Sequence, residues 1–150
     1  MKKIILFILL SIAITACEKD DFCLKNPITP NLVVRFYDAN NRGALKSVSG
    51  LNVWAEGKDS IYKNISTDSL VVPLNSLAPE TIYNFSKNNV INKFTIKYIP
   101  GNEYVSRSCG FKVIFNEVTF TSNNTWITDY TPNTLTTINN QNKAHVKIFH

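Results

Sequence analysis

The chain predicts an all-β domain, an antiparallel β-sandwich of about eight strands, on three observations. Apolar and polar residues alternate with period two in segment after segment. Turn-forming residues separate those segments at short intervals. No stretch carries the 3.6-residue period of an amphipathic helix. An immunoglobulin-like Greek-key arrangement is the leading topology, and a small barrel is the alternative.

The elements follow in order. Leu32, Val34 and Phe36 alternate with Val33, Arg35 and Tyr37, and the run stops at the turn cluster Asp38 to Gly43. Leu51-Asn52-Val53-Trp54 alternates again and ends at Glu56-Gly57-Lys58-Asp59. Leu70-Val71-Val72-Pro73-Leu74 is β-rich, but proline cannot donate to a ladder, so this segment belongs at a sheet edge or a strand end. Ile82 to Ser86 and Lys93 to Ile99 flank Asn88-Asn89 as a hairpin. Pro100-Gly101 suits the centre of a type II turn, since proline fixes φ and glycine accepts a positive one. Tyr104 to Arg107 leads to Cys109-Gly110. Phe111, Val113 and Phe115 then alternate with Lys112, Ile114 and Asn116, and Val118-Thr119-Phe120 continues the pattern. Asn123-Asn124 turns into Trp126-Ile127. The last strand is Ala144 to Phe149, with Val146 and Ile148 on one face and His145, Lys147 and Phe149 on the other. The first and last strands are expected to pair.

The amino terminus does not belong to this pattern. Lys2 and Lys3 precede an apolar run from Ile4 to Ile14, which ends in Thr15-Ala16-Cys17. About 11 apolar residues are too few to span a bilayer, which takes roughly 20, so the segment reads as an export signal. Its small-small-Cys ending resembles the lipobox of bacterial lipoproteins. That class implies cleavage before Cys17 and a diacylated Cys17 at the new terminus; two acyl chains give stable anchoring. Residues 1–16 are then the signal peptide, 17–30 a lipidated tether and 31–150 the β-sandwich. Loss of Lys2 and Lys3 lowers the formal net charge from +5 to +3, because 14 basic residues then face 11 acidic ones. Lys19-Asp20-Asp21 resembles the Lys-acid-acid signal with which Bacteroidetes-type bacteria send lipoproteins to the outer face of the outer membrane. The expected location is therefore the cell surface, with the periplasmic face as the alternative.

With Cys17 committed to lipid, Cys23 and Cys109 remain as an even pair in an oxidising compartment, and a disulfide is expected. It closes an 87-residue loop (23 to 109 inclusive), for which the chain-entropy relation gives about 4.6 kcal/mol as an upper figure. It also ends the free tether at Cys23, about 20 Å of chain from Cys17. The expectation is a close mount, with the arm fixed to the body of the domain.

The same elements resemble a family of small uncharacterised Bacteroidetes-type lipoproteins, known as a domain of unknown function. The resemblance rests on Cys23, Thr29-Pro30 before Leu32 to Asp38, Val71 to Leu74, Tyr98, Tyr104 to Gly110 with its Ser-x-x-Cys-Gly element, and His145 to Phe149. It implies no activity.

Composition excludes some functions. Lysine and arginine are scattered without a basic block, so nucleic acid is not an expected partner. No metallohydrolase, nucleophile-elbow or phosphate-loop motif occurs, and neither a metal, a cofactor nor catalysis is expected. Asp38, Asp59, Asp68 and Asp129 fall near turns, where aspartate caps backbone groups. His145 is expected to be solvated and His150 frayed. Ser106 and Arg107 are read as structural neighbours of the disulfide.

Two features point to ligands. Trp54, Trp126, Tyr104 and Tyr130 lie near strand ends or turns, where aromatics can stack on sugars, although at least two are expected to plug the core. Trp54 and Trp126 are the candidate ligand aromatics. Asp59-Ser60-Ile61 and Asp68-Ser69-Leu70 resemble the acceptor triplet of Bacteroidetes-type O-glycosylation, which makes Ser60 and Ser69 candidate sites. The expected function is a non-catalytic, membrane-anchored module that contacts an envelope protein; a surface binder of glycan or small ligand is the alternative.

Overall fold

A computed structural model describes residues 22–24 and 27–150. Residues 1–21, on which the expected signal peptide, the expected lipidation site Cys17 and the expected export signal Lys19-Asp20-Asp21 fall, lie outside the described residues. The chain divides into a small unit, Met1–Pro27 with Tyr104–Phe111, and a larger one, Ile28–Glu103 with Lys112–His150.

The larger unit is an all-β sandwich. The strands of the described residues are β1 (Leu32–Tyr37), β2 (Val48–Ala55), β3 (Ser60–Thr67), β4 (Ser69–Val72), β5 (Glu80–Lys87), β6 (Val90–Ser106), β7 (Gly110–Ser122), β8 (Asp129–Thr131), β9 (Thr134–Ile138) and β10 (Val146–Phe149), of which only Tyr104–Ser106 of β6 and Gly110–Phe111 of β7 fall in the small unit. They form a four-stranded sheet, β4-β1-β10-β8, and a six-stranded sheet, β3-β2-β5-β6-β7-β9. The inner faces share one core. β1 contributes Leu32, Val34 and Phe36, and the six-stranded sheet contributes Val53, Phe85, Phe94 and Phe115, all fully buried. Phe36 meets Phe85 edge to face at 6.5 Å between centroids.

The first and last strands pair as expected, but in parallel, with Val34 opposite Val146. Asn88 and Asn89 both have positive φ (51° and 63°), and Lys87 pairs with Val90. That is the two-residue turn whose backbone twist matches the twist of a hairpin. Pro73 immediately follows the edge strand β4, where a missing donor costs nothing.

Three expectations are corrected. Pro100-Gly101 is no turn, because β6 runs through it without interruption. The β5 partner begins at Glu80, opposite Lys97, so Pro100 lies where β6 has an open side. Gly101 lies against the Asn116 side chain, whose terminal nitrogen would stand 2.8 Å from a Cβ there and would have to shift to admit one. β3, β8 and β9 were not among the expected strands, and each is a sheet edge. Phe149, assigned to the outer face of the last strand, is nonetheless buried, because the Arg42 guanidinium lies 3.9 Å above its ring.

Candidate functional site

The candidate site is an apolar groove of about 790 Å³ in the larger unit. Its walls include Ile61 of β3, Pro73, Leu74 and Leu77 of the β4–β5 connection, and Tyr83 of β5, with Glu56, Lys58 and Glu80 supplying charge. Leu77 is 95% exposed.

The loop that carries Leu77 is held by side chains from the sheet. The Tyr98 hydroxyl donates to the Asn75 carbonyl at 2.9 Å, and the Asn75 N–H donates to Thr81 Oγ1 at 2.9 Å. Thr81 Oγ1 and the Tyr98 hydroxyl lie 2.5 Å apart, and the Tyr83 hydroxyl donates to the Pro73 carbonyl. The Asn75 side chain accepts from the Leu77 N–H at 3.0 Å. Burial pushes the Tyr83 and Tyr98 phenols above their ordinary range, so both remain protonated donors at neutral pH. The loop is therefore fixed, and Leu77 is displayed from a rigid base. Sequence reasoning missed this site. The available signal was a leucine between Pro73 and Pro79, in a segment with no strand face on which to bury it.

The two tryptophans are not brought together. Trp126 packs on Phe36 at 6.3 Å between centroids, and its indole N–H donates to the Phe85 carbonyl at 2.9 Å. Trp54 pairs with Asn84 on β5, one residue out of phase with the buried Val53–Phe85 pair. Alternation therefore puts Trp54, half-buried, on the opposite face of the six-stranded sheet. Tyr130 also serves the core, meeting Phe94 edge to face at 5.4 Å. Tyr104 is exposed, in contact with Phe111 at 5.4 Å.

Both histidines differ from expectation. His145 is no solvated strand residue. Its Nδ1 accepts from the Val33 N–H at 2.9 Å, and its Nε2 stands 2.8 Å from the Asn140 carbonyl, to which it must donate. His150 is not frayed. Its N–H donates to Tyr37, its carbonyl accepts from Ala39 N–H and Lys46 Nζ, and its ring packs edge to face on Phe36 and Trp126. Burial is the leading cause that holds both imidazoles below the ordinary histidine range. Each is bound into the fold by partners distant in sequence.

Ser60 opens edge strand β3 and is partly exposed. Ser69 is engaged in the sheet, where its hydroxyl donates to the Val34 carbonyl at 3.3 Å and the adjoining Leu70 is buried. Among the described residues, no three His, Cys, Asp or Glu side chains gather into a metal-binding group.

In the small unit, Cys23 and Cys109 form a disulfide. The bond joins the arm to the turn between β6 and β7, and both cysteines fall in the small unit. Ser106 Oγ accepts from the Cys109 N–H at 3.1 Å, and Ser108 Oγ donates to the Phe22 carbonyl at 3.2 Å. These serines shape the turn and fasten the arm.

Fold and covalent frame thus define a class, a two-sheet β-sandwich whose β6–β7 turn is disulfide-bonded to the amino-terminal arm. The chain belongs to a family of unknown function, DUF6452, whose profile matches residues 50–150. The match includes Cys109-Gly110 and His145 to Phe149 but not Cys23 or Leu32 to Asp38. No curated protein and no solved structure matches the chain.

Proposed function

We propose that this protein is a lipid-anchored envelope lipoprotein that works without catalysis, by contact with another envelope protein. In this reading Cys17 carries the acyl chains. Lys19-Asp20-Asp21 directs the chain to the cell-surface face of the outer membrane, in the manner of Bacteroidetes-type lipoproteins. The observation that carries the contact role is Leu77, almost fully exposed on a loop held by Tyr83, Tyr98 and Thr81. A large apolar side chain on a fixed loop loses little conformational entropy on docking, which favours a contact there.

A photo-crosslinker at position 77 in intact cells, combined with protease shaving, tests the reading. A discrete envelope partner, lost in Leu77→Asp without a change in melting temperature, is the expected result. Labelling of bulk porins alone counts against it. Protection from the protease in intact cells assigns the periplasmic face instead.

The alternative, a glycan or small-ligand surface, now rests on Trp54 alone, half-buried beside polar Asn84 on the outer sheet face.

A further inference from the structure

The lipid-anchored reading deals with Cys17 but leaves the apolar side chains of the small unit unused. Phe22 and Leu24 flank Cys23 and are 80% and 89% exposed. Phe111, two residues past Cys109, is 65% exposed, and Tyr104, in contact with it, is 60% exposed. All four large apolar side chains thus lie within five residues, along the sequence, of a cysteine of one disulfide. A soluble protein ordinarily buries groups of this kind, and large apolar side chains left exposed in one small region mark a surface that meets something apolar.

Chain length selects the occupant. Phe22 is five residues past Cys17, and five residues span at most about 17 Å. The disulfide then brings Cys109 to 4.7 Å from Cys23, Cα to Cα. Once Cys17 is acylated, the whole cluster is confined within a few tens of Å of the bilayer. Such a tether makes the lipid surface an intramolecular target at high effective concentration. The chemistry agrees. Tyrosine and phenylalanine suit the membrane–water boundary, where one side is apolar and the other wet. Residues 104–111 contain no acidic side chain.

We propose, resting on the lipid-anchored reading, that Phe22, Leu24, Tyr104 and Phe111 form a second membrane contact that inserts into the interface of the bilayer holding Cys17. The tip then acts as a foot that sets where the small unit meets the lipid. The acyl chains alone would leave it free to lift away.

Two arms separate this proposal from the anchor. In the first, the mature chain with Cys17→Ser is floated with phosphatidylethanolamine–phosphatidylglycerol vesicles. Weak but measurable partitioning is expected, reduced at least tenfold in F22S/F111S. No partitioning, or partitioning indifferent to F22S/F111S, overturns the foot. In the second arm, the native protein carries Phe111→Trp and is reconstituted with lipids brominated in the acyl chains. Quenching of the added fluorescence supports insertion. Unquenched fluorescence in a protein that still floats overturns the foot and leaves the anchor standing. The intact mass of the native protein reads the anchor independently. A mass without acyl chains removes the anchor but not a foot that passes the first arm.

Discussion

The two units of this molecule treat large apolar residues in opposite ways. In the sandwich, Phe36, Phe85, Phe94 and Phe115 are fully buried, Phe85 packing on both Phe36 and Phe94 and Phe115 on Tyr98. In the small unit, Phe22, Tyr104 and Phe111 are mostly exposed, and a disulfide provides the covalent closure. Burial of apolar area is the main source of folding stability. The sandwich therefore holds itself together, whereas the described residues of the small unit are joined by a disulfide and by hydrogen bonds at Ser106 and Ser108. An apolar side chain that does not stabilise the fold is available for contact. The same physics singles out Leu77 within the sandwich.

The sharpest test removes one phenylalanine from each region. Phe85→Ala should cost about 3–5 kcal/mol in denaturant unfolding, the range for a buried aromatic whose cavity cannot collapse. Phe111→Ala should change the same measurement by less than about 0.5 kcal/mol. Equal losses would erase the distinction.

Breaking the covalent link has a smaller effect. Cys109→Ser is expected to cost about 2 kcal/mol, below the roughly 4.6 kcal/mol of the chain-entropy relation, because the freed arm gains entropy in the folded state too. Far-UV circular dichroism should keep its β signature. Loss of that signature would mean that the disulfide holds the sandwich as well.

The smallest effect is the pH dependence. His145 and His150 have depressed pKa values, chiefly through burial, so the fold favours their neutral forms. Their contribution is complete above the ordinary value of about 6.5 and is lost as pH falls through the folded values. Asp38 and Asp129 are also depressed, chiefly by hydrogen bonds from Lys46 and Arg42, and their contribution is lost only below the ordinary carboxylate value of about 3.9. Thermal melts should therefore show a modest fall in Tm between about pH 7 and pH 5, smaller in H145Q/H150Q. An unchanged slope in that variant would show that the histidines do not carry it.

Alternation revealed the strands with a covered face. β1, β2, β5, β6, β7 and β10 were legible because neighbours on both sides hold each in place while one face packs on the core. The edges β3, β8 and β9 were not. In β3 and β8 no residue is fully buried, and β9 buries only Ile138. A strand without a fully covered face is under little pressure to alternate, so Ser60–Thr67 and Thr134–Ile138 read as loop. β4 was the legible edge, because Leu70 and Val72 face the core. The Leu77 loop escaped notice for a related reason, since its stiffness comes from hydroxyls on β5 and β6 that local sequence does not connect to it.

The sequence by itself determined the all-β class, the pairing of the first and last strands, the Asn88-Asn89 hairpin and the choice of Cys23 and Cys109 as partners. Each of these rests on local pattern or on cysteine arithmetic, which leave marks in the order of residues. Only the tertiary structure decided that Trp126 serves the core while Trp54 faces away, that His145 and His150 are bound into the fold, and that Leu77 and the aromatic tip stay uncovered. Those outcomes depend on which distant segments come to lie above a side chain, and burial of that kind is set by the packing of sheets.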